Sequence, residues 1–371
     1  MFSHNGRISE RQLRRMLVLS VFAGGIFVIP HMSAKLFETS VFWGFCVFFV
    51  FACIYVGCIY KIAHHMHFVE RATENGFTGR LILIVQILRQ IYRLVFFVLL
   101  SVAILEEAQV PFMQGKQSGL NLLVMLPLML VAVYGVLSEK REKEKQPYRI
   151  EKQGRLYEMI FWILFIPFII MVLFGMGSVD WQIFVPRYDI PFLNLFLYAY
   201  FMLVFLLPVE NYFYLRPCLA DEKGQKSYYA VIATVAVIIL LSFALLGIYG
   251  VHGAAEEEML TIAIMRYIKL PFRILGRFDS LVVWFFMTGC FVLLCQTLYF
   301  TGYLLSALFP EAKRFWIIVV ASALALVVPI FLPDYQIMLP LYMQYGALVD
   351  LPLSLIMPLL LWGVSRASKS S

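Results

Sequence analysis

The sequence predicts an all-α integral membrane protein with about ten transmembrane helices. Three observations carry this. Hydrophobic residues make up 62% of the 371 and charged ones only 14%, against about 25% charged in a soluble domain. The apolar residues fall in runs of roughly 20, the length that crosses a bilayer as helix. Basic residues gather in alternate connecting segments. The first observation excludes a soluble enzyme, a nucleic-acid-binding domain and a disordered chain. The formal charge of +7 then concerns membrane sidedness, not nucleic acid.

The segments run at about 16–34, 41–62, 81–105, 120–138, 157–176, 190–212, 228–250, 279–308, 314–332 and 338–364. The first is interrupted by Gly24-Gly25 and Pro30. The second ends at Lys61 and three histidines, His64, His65 and His67, with no acidic or cysteine partner spaced to complete a metal site. The third carries Arg89 and Arg93. The fourth leads into the only low-complexity charged run, 139–152, which reads as a solvated loop. The fifth carries one charge, Glu158 at its start, and the seventh carries none. The sixth ends in Pro208 and Glu210. The eighth and ninth are linked by a short basic turn, and the tenth contains Asp350. Five of the six cysteines lie inside these runs and read as buried free thiols.

With the N-terminus inside, the inner loops and tails hold 21 Lys and Arg, and the outer loops 7. Both termini are therefore expected to be cytoplasmic. Segment 251–278 is the discordant loop, long enough for an amphipathic helix on the outer surface. The segment Met1 to Arg15 has four arginines and no small-residue cleavage site, so no secretory signal is expected.

The breaks are the functional signal. Gly24 and Gly25 weaken the first span and let a ligand approach backbone. Pro30 cannot donate to the carbonyl of Ile26. In lipid, irregular backbone persists only where protein or a polar cavity satisfies it. Amides freed at the second half-helix suit a carboxylate. The sixth span, with Pro208 and Glu210 after large side chains, occupies the matching place in a second set of five. An interrupted pair at corresponding positions points to inverted repeats, here about 16–176 and 190–364 of one transmembrane domain.

The run Ala23-Gly24-Gly25-Ile26-Phe27-x-x-Pro30 resembles the first span of amino acid–polyamine–organocation permeases. More narrowly, the chain resembles the spore germination permease family, the B subunit of germinant receptors. Ile8-Ser9-x-x-Gln12-Leu13, Pro208-Val209-Glu210 with Pro217, and Gly276-Arg277-Phe278-Asp279 followed by Trp284 carry that likeness. Ala23 stands where the family has its first glycine, and segment six lacks the glycine often found before the glutamate. The resemblance implies a 5+5 inverted-repeat permease fold with discontinuous first and sixth helices. It implies a small amino acid or similar nutrient as ligand, and an A-type membrane subunit and a C-type lipoprotein as partners. It implies a multi-pass protein of the bacterial spore inner membrane. Carried over, Ala23, Gly24, Gly25, Ile26 and Phe27 would line the ligand's carboxylate end. Phe201, Val204 and Phe205 would line its side-chain end, with Pro208 and Glu210 shaping the second break. An ion-coupled secondary amino acid transporter is the alternative.

Charges inside a span cost about 2.5–3.5 kcal/mol each at the bilayer centre. Arg89 and Arg93, four apart with Gln86 and Gln90 nearby, either face a polar interior or Glu210, or segment three starts late and 70–90 is interfacial. Asp350 is either a proton or cation site or the N-cap of a shortened last helix. No nucleophile–base pattern, Walker loop or dinucleotide fingerprint occurs, so neither catalysis nor a cofactor is expected.

Overall fold

The computed structural model describes residues 7–109, 127, 129–133, 150–175, 179–180, 190–220, 225–257, 259–263, 278–309, 314–332 and 334–370. Most of the fourth segment, the charged run up to residue 149, and Gly276 with Arg277 lie outside the described residues. The described chain is helical, with one isolated parallel bridge between Ile8 and Leu219.

Helix α1 (Glu10–Ile26) starts at a capping box in which the Ser9 and Gln12 side chains each hold the other's backbone amide. That box stops the first amides from going unpaired. Ahead of it, Ile8 exchanges backbone hydrogen bonds with Cys218 and Ala220, at 2.9 and 3.0 Å. The start of the first span is thus stitched to the end of the sixth. Arg11 and Arg15 reach Glu158 of the fifth span at 2.8 and 3.5 Å.

After α1 come α2 (Ile29–Phe37), α3 (Val41–His64), α4 (Phe68–Glu74) and α5 (Gly76–Gln109). They are followed by α6 (Glu151–Gly175), α7 (Phe192–Met202), α8 (Gln225–Tyr249), α9 (Val251–Glu256) and α10 (Leu260–Ala263). The last four are α11 (Phe278–Leu308), α12 (Arg314–Val327), α13 (Tyr335–Tyr345) and α14 (Leu351–Ser370). Among the described residues, six stretches are long and apolar enough to cross a membrane: Ile29–His64, Gly76–Glu107, Phe192–Cys218, Lys226–Tyr249, Phe286–Leu308 and Tyr335–Val364. Ile318–Phe331 is a shorter apolar helix. Large apolar side chains such as Val50, Ile54, Trp162, Leu193 and Leu240 face outward, as lipid-facing positions should.

Four features bear on the sequence expectations. The third span does not start late: α5 is 34 residues long, about 50 Å at 1.5 Å per residue, and Arg89 sits well inside it. The segment after α8 lies only partly on a surface: His252 and Glu256 are exposed, but Met259 to Ala263 are all buried. The first break falls after the two glycines, at Phe27–Val28, with Pro30 in the first turn of α2. Glycine lowers the cost of unwinding, but the missing proline amide decides where it happens. The sixth span tightens into a nine-residue 3-10 helix, Leu203–Asn211, with Pro208 inside it. Runs beyond three or four residues of this geometry are uncommon and mark hinges or strain.

The tenth span has its own irregularity, a π-helical turn over Gly346–Asp350 between α13 and α14. Gly346 allows this turn to press on the sixth span. A β-carbon there would lie 2.4 Å from Val204 Cγ1, closer than atoms pack. Gly346→Ala is therefore expected to lower the melting temperature in detergent, with an overpacking cost of about 1–3 kcal/mol. Val204→Ala in the same chain should return much of the loss, because the clashing methyls are gone. Simple addition of the two losses would show that this contact is not the cause.

Candidate functional site

Two constructions meet at the 3-10 stretch of the sixth span. A helix of three residues per turn eclipses side chains at i and i+3. Phe205, Pro208 and Asn211 share one edge, while Val204, Leu207 and Glu210 share another. The first edge meets the first break and the second meets α5 and the tenth span.

On the first edge, a β-carbon at Gly24 would lie 3.7 Å from the carbonyl oxygen of Phe205 and 3.9 Å from Pro208. The α1 backbone at Gly24 therefore faces the 3-10 backbone of the sixth span, with room for little more than a methyl group between them. At Gly25 a β-carbon would lie 3.0 Å from both Ile238 and Ile29. Phe27 packs edge-to-face on Phe286 of α11, with ring centroids 5.1 Å apart. Gly289 of α11 leaves room for Phe27 and Ala23. The Ile26 carbonyl, deprived of its donor by Pro30, accepts from Thr261 Oγ1 at 2.6 Å. Val28 N donates back to Gly25 at 3.2 Å.

The second edge ends in a sealed charge cluster. Arg89, Arg93, Glu210 and Asp350 are exposed by 1, 2, 2 and 0%. Arg89 Nη1 and Nη2 each donate to one oxygen of Glu210 at 2.9 Å. Its Nε donates to Asp350 Oδ1, and Nη2 also to the Asp350 backbone carbonyl at 2.8 Å. Arg93 holds both Asp350 oxygens from Nε and Nη2 at 2.8 and 2.9 Å, and Glu210 Oε2 at 2.7 Å. Gln86 Nε2 donates to Glu210 Oε1 and to the Tyr214 hydroxyl, and Gln86 Oε1 accepts from Arg89 at 2.5 Å. Two positive and two negative charges cancel, each guanidinium engaging both carboxylates. Residues 86, 89 and 93 recur at three and four, so one face of α5 supplies all the donors.

The expected site residues divide accordingly. Ala23, Gly24, Gly25, Ile26, Phe27, Phe205 and Pro208 gather at the first break. Val204 instead packs on Gly346, Phe201 is half-buried beside Tyr200, and Glu210 belongs to the charge cluster. Asp350 does not cap a helix. Its carboxylate is spent on the two arginines, and the chain runs through it from the π turn into α14. Sequence reading left out Thr261, Tyr214, Gly289 and Asn211. Thr261 could have been sought as a donor for the orphaned Ile26 carbonyl, but nothing in its own loop singles it out. Asn211 Oδ1 is buried without a hydrogen-bond partner, on the edge that faces the break. The span hydroxyls of Ser20, Ser101, Thr297 and Thr301 are turned back onto the carbonyls four residues earlier, at 2.6–2.8 Å.

The overall fold has a solved counterpart. Mhp1, a nucleobase-cation-symport-1 family transporter in a closed conformation with bromovinylhydantoin bound, superposes with a TM-score of 0.59. The match covers 93% of this chain and 77% of the transporter, at 16% sequence identity. The chain has a permease-type membrane fold. No family model matches the sequence, and no curated protein does either. The likeness is one of fold.

Four uncompensated charges inside a bilayer would cost on the order of 10 kcal/mol, so the cluster must be kept whole. Arg93→Met should lower stability by about 3–5 kcal/mol, since it strands a buried carboxylate. Adding Asp350→Leu removes the stranded partner and should recover a good part of that. Melting temperatures of the two variants in one detergent decide the point. An Arg93→Met protein as stable as the parent would mean that the four groups are not mutually dependent.

Proposed function

We propose that this chain is the membrane subunit of a nutrient germinant receptor, which binds a small amino acid or similar nutrient between the first and sixth spans and passes the change on to partner subunits. The observation that carries the reading is the apposition at Gly24. Two interrupted spans in matching positions meet there backbone to backbone, lined by Ala23, Phe27 and Phe205. Irregular backbone offers carbonyls and amides for the two ends of an amino acid. The apolar walls favour a small or branched side chain.

The germination role rests on the sequence resemblance, which spans nearly the whole chain through motifs that are individually loose. It brings with it the A-type membrane subunit, the C-type lipoprotein and the spore inner membrane. The likeness to a cation symporter favours a second reading, an ion-coupled amino acid transporter. The charge cluster speaks for sensing. Both Glu210 and Asp350 are held by two guanidinium groups, so a coupling cation would have to displace a doubly bonded arginine from either.

Binding at the break predicts that a small amino acid at about 100 times its Kd raises the stability of the purified protein by about 2.7 kcal/mol. Gly24→Leu should abolish that rise, because its side chain would extend towards Phe205 and Pro208. Gly24→Ala, whose β-carbon makes ordinary contacts, should weaken it less. The stabilisation should be the same in sodium and in choline salts. In liposomes, saturable uptake driven by a sodium or proton gradient would replace the receptor reading with the transporter one.

A further inference from the structure

Proline 30 leaves the carbonyl of Ile26 without its helical donor, and Thr261 supplies one from 235 positions away. The donor oxygen lies 2.6 Å from the carbonyl, and Thr261 is 1% exposed. It belongs to α10, in the stretch that leaves α8 and turns back over α2. A second contact moors the same stretch, His31 Nδ1 to the Ala254 carbonyl at 3.3 Å. Met259, Leu260 and Ile262 are buried around it. The break and this stretch are thus joined at one acceptor by one neutral hydroxyl.

We infer that the Thr261 hydroxyl stands in for the ammonium group of the ligand. With the site empty it holds the Ile26 carbonyl. A ligand with a primary ammonium takes that carbonyl over, and the released Thr261 loosens α9 and α10. This deepens, and rests on, the reading that an amino acid binds at the first break. Charge decides the exchange: a hydrogen bond from a cation is roughly twice as strong as one from a neutral donor. Ile26 lies two residues beyond Gly24, where even a β-carbon would make only ordinary contacts. A ligand with the same carboxylate but no amine has nothing to offer the carbonyl and leaves Thr261 in place. Thr261 is therefore a specificity-determining residue, and the stretch that carries it reports occupancy to a different part of the molecule.

The test uses the full-length protein in detergent, with L-alanine and L-valine as probes and propionate and 3-methylbutanoate as their amine-free counterparts. Thr261→Val keeps the shape and removes the donor. It should tighten binding of the two amino acids about tenfold and leave the two acids unchanged, while Thr261→Ser should bind as the parent does. Hydrogen exchange across Val251–Glu256 and Leu260–Ala263 should speed up in unliganded Thr261→Val, and in the parent when L-alanine or L-valine is added. Equal or weaker amino acid binding by Thr261→Val overturns the inference, as does exchange there that neither the substitution nor the amino acid moves. If neither amino acid binds the parent, the ligand reading itself fails. Unliganded exchange in Thr261→Val then still reports whether the hydroxyl moors the stretch.

Discussion

Arg89, Arg93, Glu210 and Asp350 form one neutral object inside an apolar bundle, and the three spans that carry them cannot move apart without exposing charge to hydrocarbon. Any one of the four alone would be a liability. Together they are satisfied by nine hydrogen bonds, counting those to and from Gln86 and the Asp350 carbonyl. The constraint reaches into the backbone. Glu210 lies near the end of a 3-10 run and Asp350 closes a π turn. One geometry is tighter than an α-helix and the other wider. Both irregular stretches bring a carboxylate to the same face of α5, the one regular helix of the three. The Asp350 carbonyl also points at Arg89, so the arginine satisfies part of the backbone that positions its own partner.

The same 3-10 run ties this cluster to the candidate ligand site. Period three separates Phe205 and Pro208 from Val204 and Glu210 without an intervening residue to absorb motion. A rotation of the run that opens or closes the face towards Gly24 must turn Glu210 against its arginines and Val204 against Gly346. Interfaces of this kind switch between discrete packings rather than deform smoothly. The cluster therefore limits which rearrangements the ligand face can make, and it does so through the sixth span itself.

Much of the fold was legible in the sequence because bilayer crossing is a constraint on composition and length. The segments, the broken first span and the irregular sixth all come from patterns local in the chain. The burial of Arg89 and Arg93 could be anticipated, since a charge inside a span must find a partner. Glu210 was one of the partners weighed. Asp350 was not paired with them, because 261 residues separate it from Arg89 and nothing local distinguishes a buried acceptor from a cap. The π turn has no sequence signature comparable to proline. Gly24-Gly25 and Pro30 bracket the break, which falls between them at Phe27–Val28. Pro30 was the better guide, because it removes a hydrogen bond outright. Thr261 was illegible for the opposite reason: its role is defined entirely by what it touches.

Two carbonyls in irregular backbone, those of Ile26 and Asp350, are satisfied by side chains from distant elements, and the difference between their donors separates structure from exchange. Asp350 O accepts from Arg89, a charged donor that is itself held by two carboxylates. Removing it would break the cluster. Ile26 O accepts from a threonine hydroxyl, which makes one bond worth about 1 kcal/mol net. Among the described residues, the stretch it belongs to is also tied by His31 at the Ala254 carbonyl. Only the second is cheap to vacate. A ligand donor arriving in this fold meets one acceptor that is locked and one that is lightly held. The lightly held one lies two residues along the chain from Gly24, which faces the sixth span.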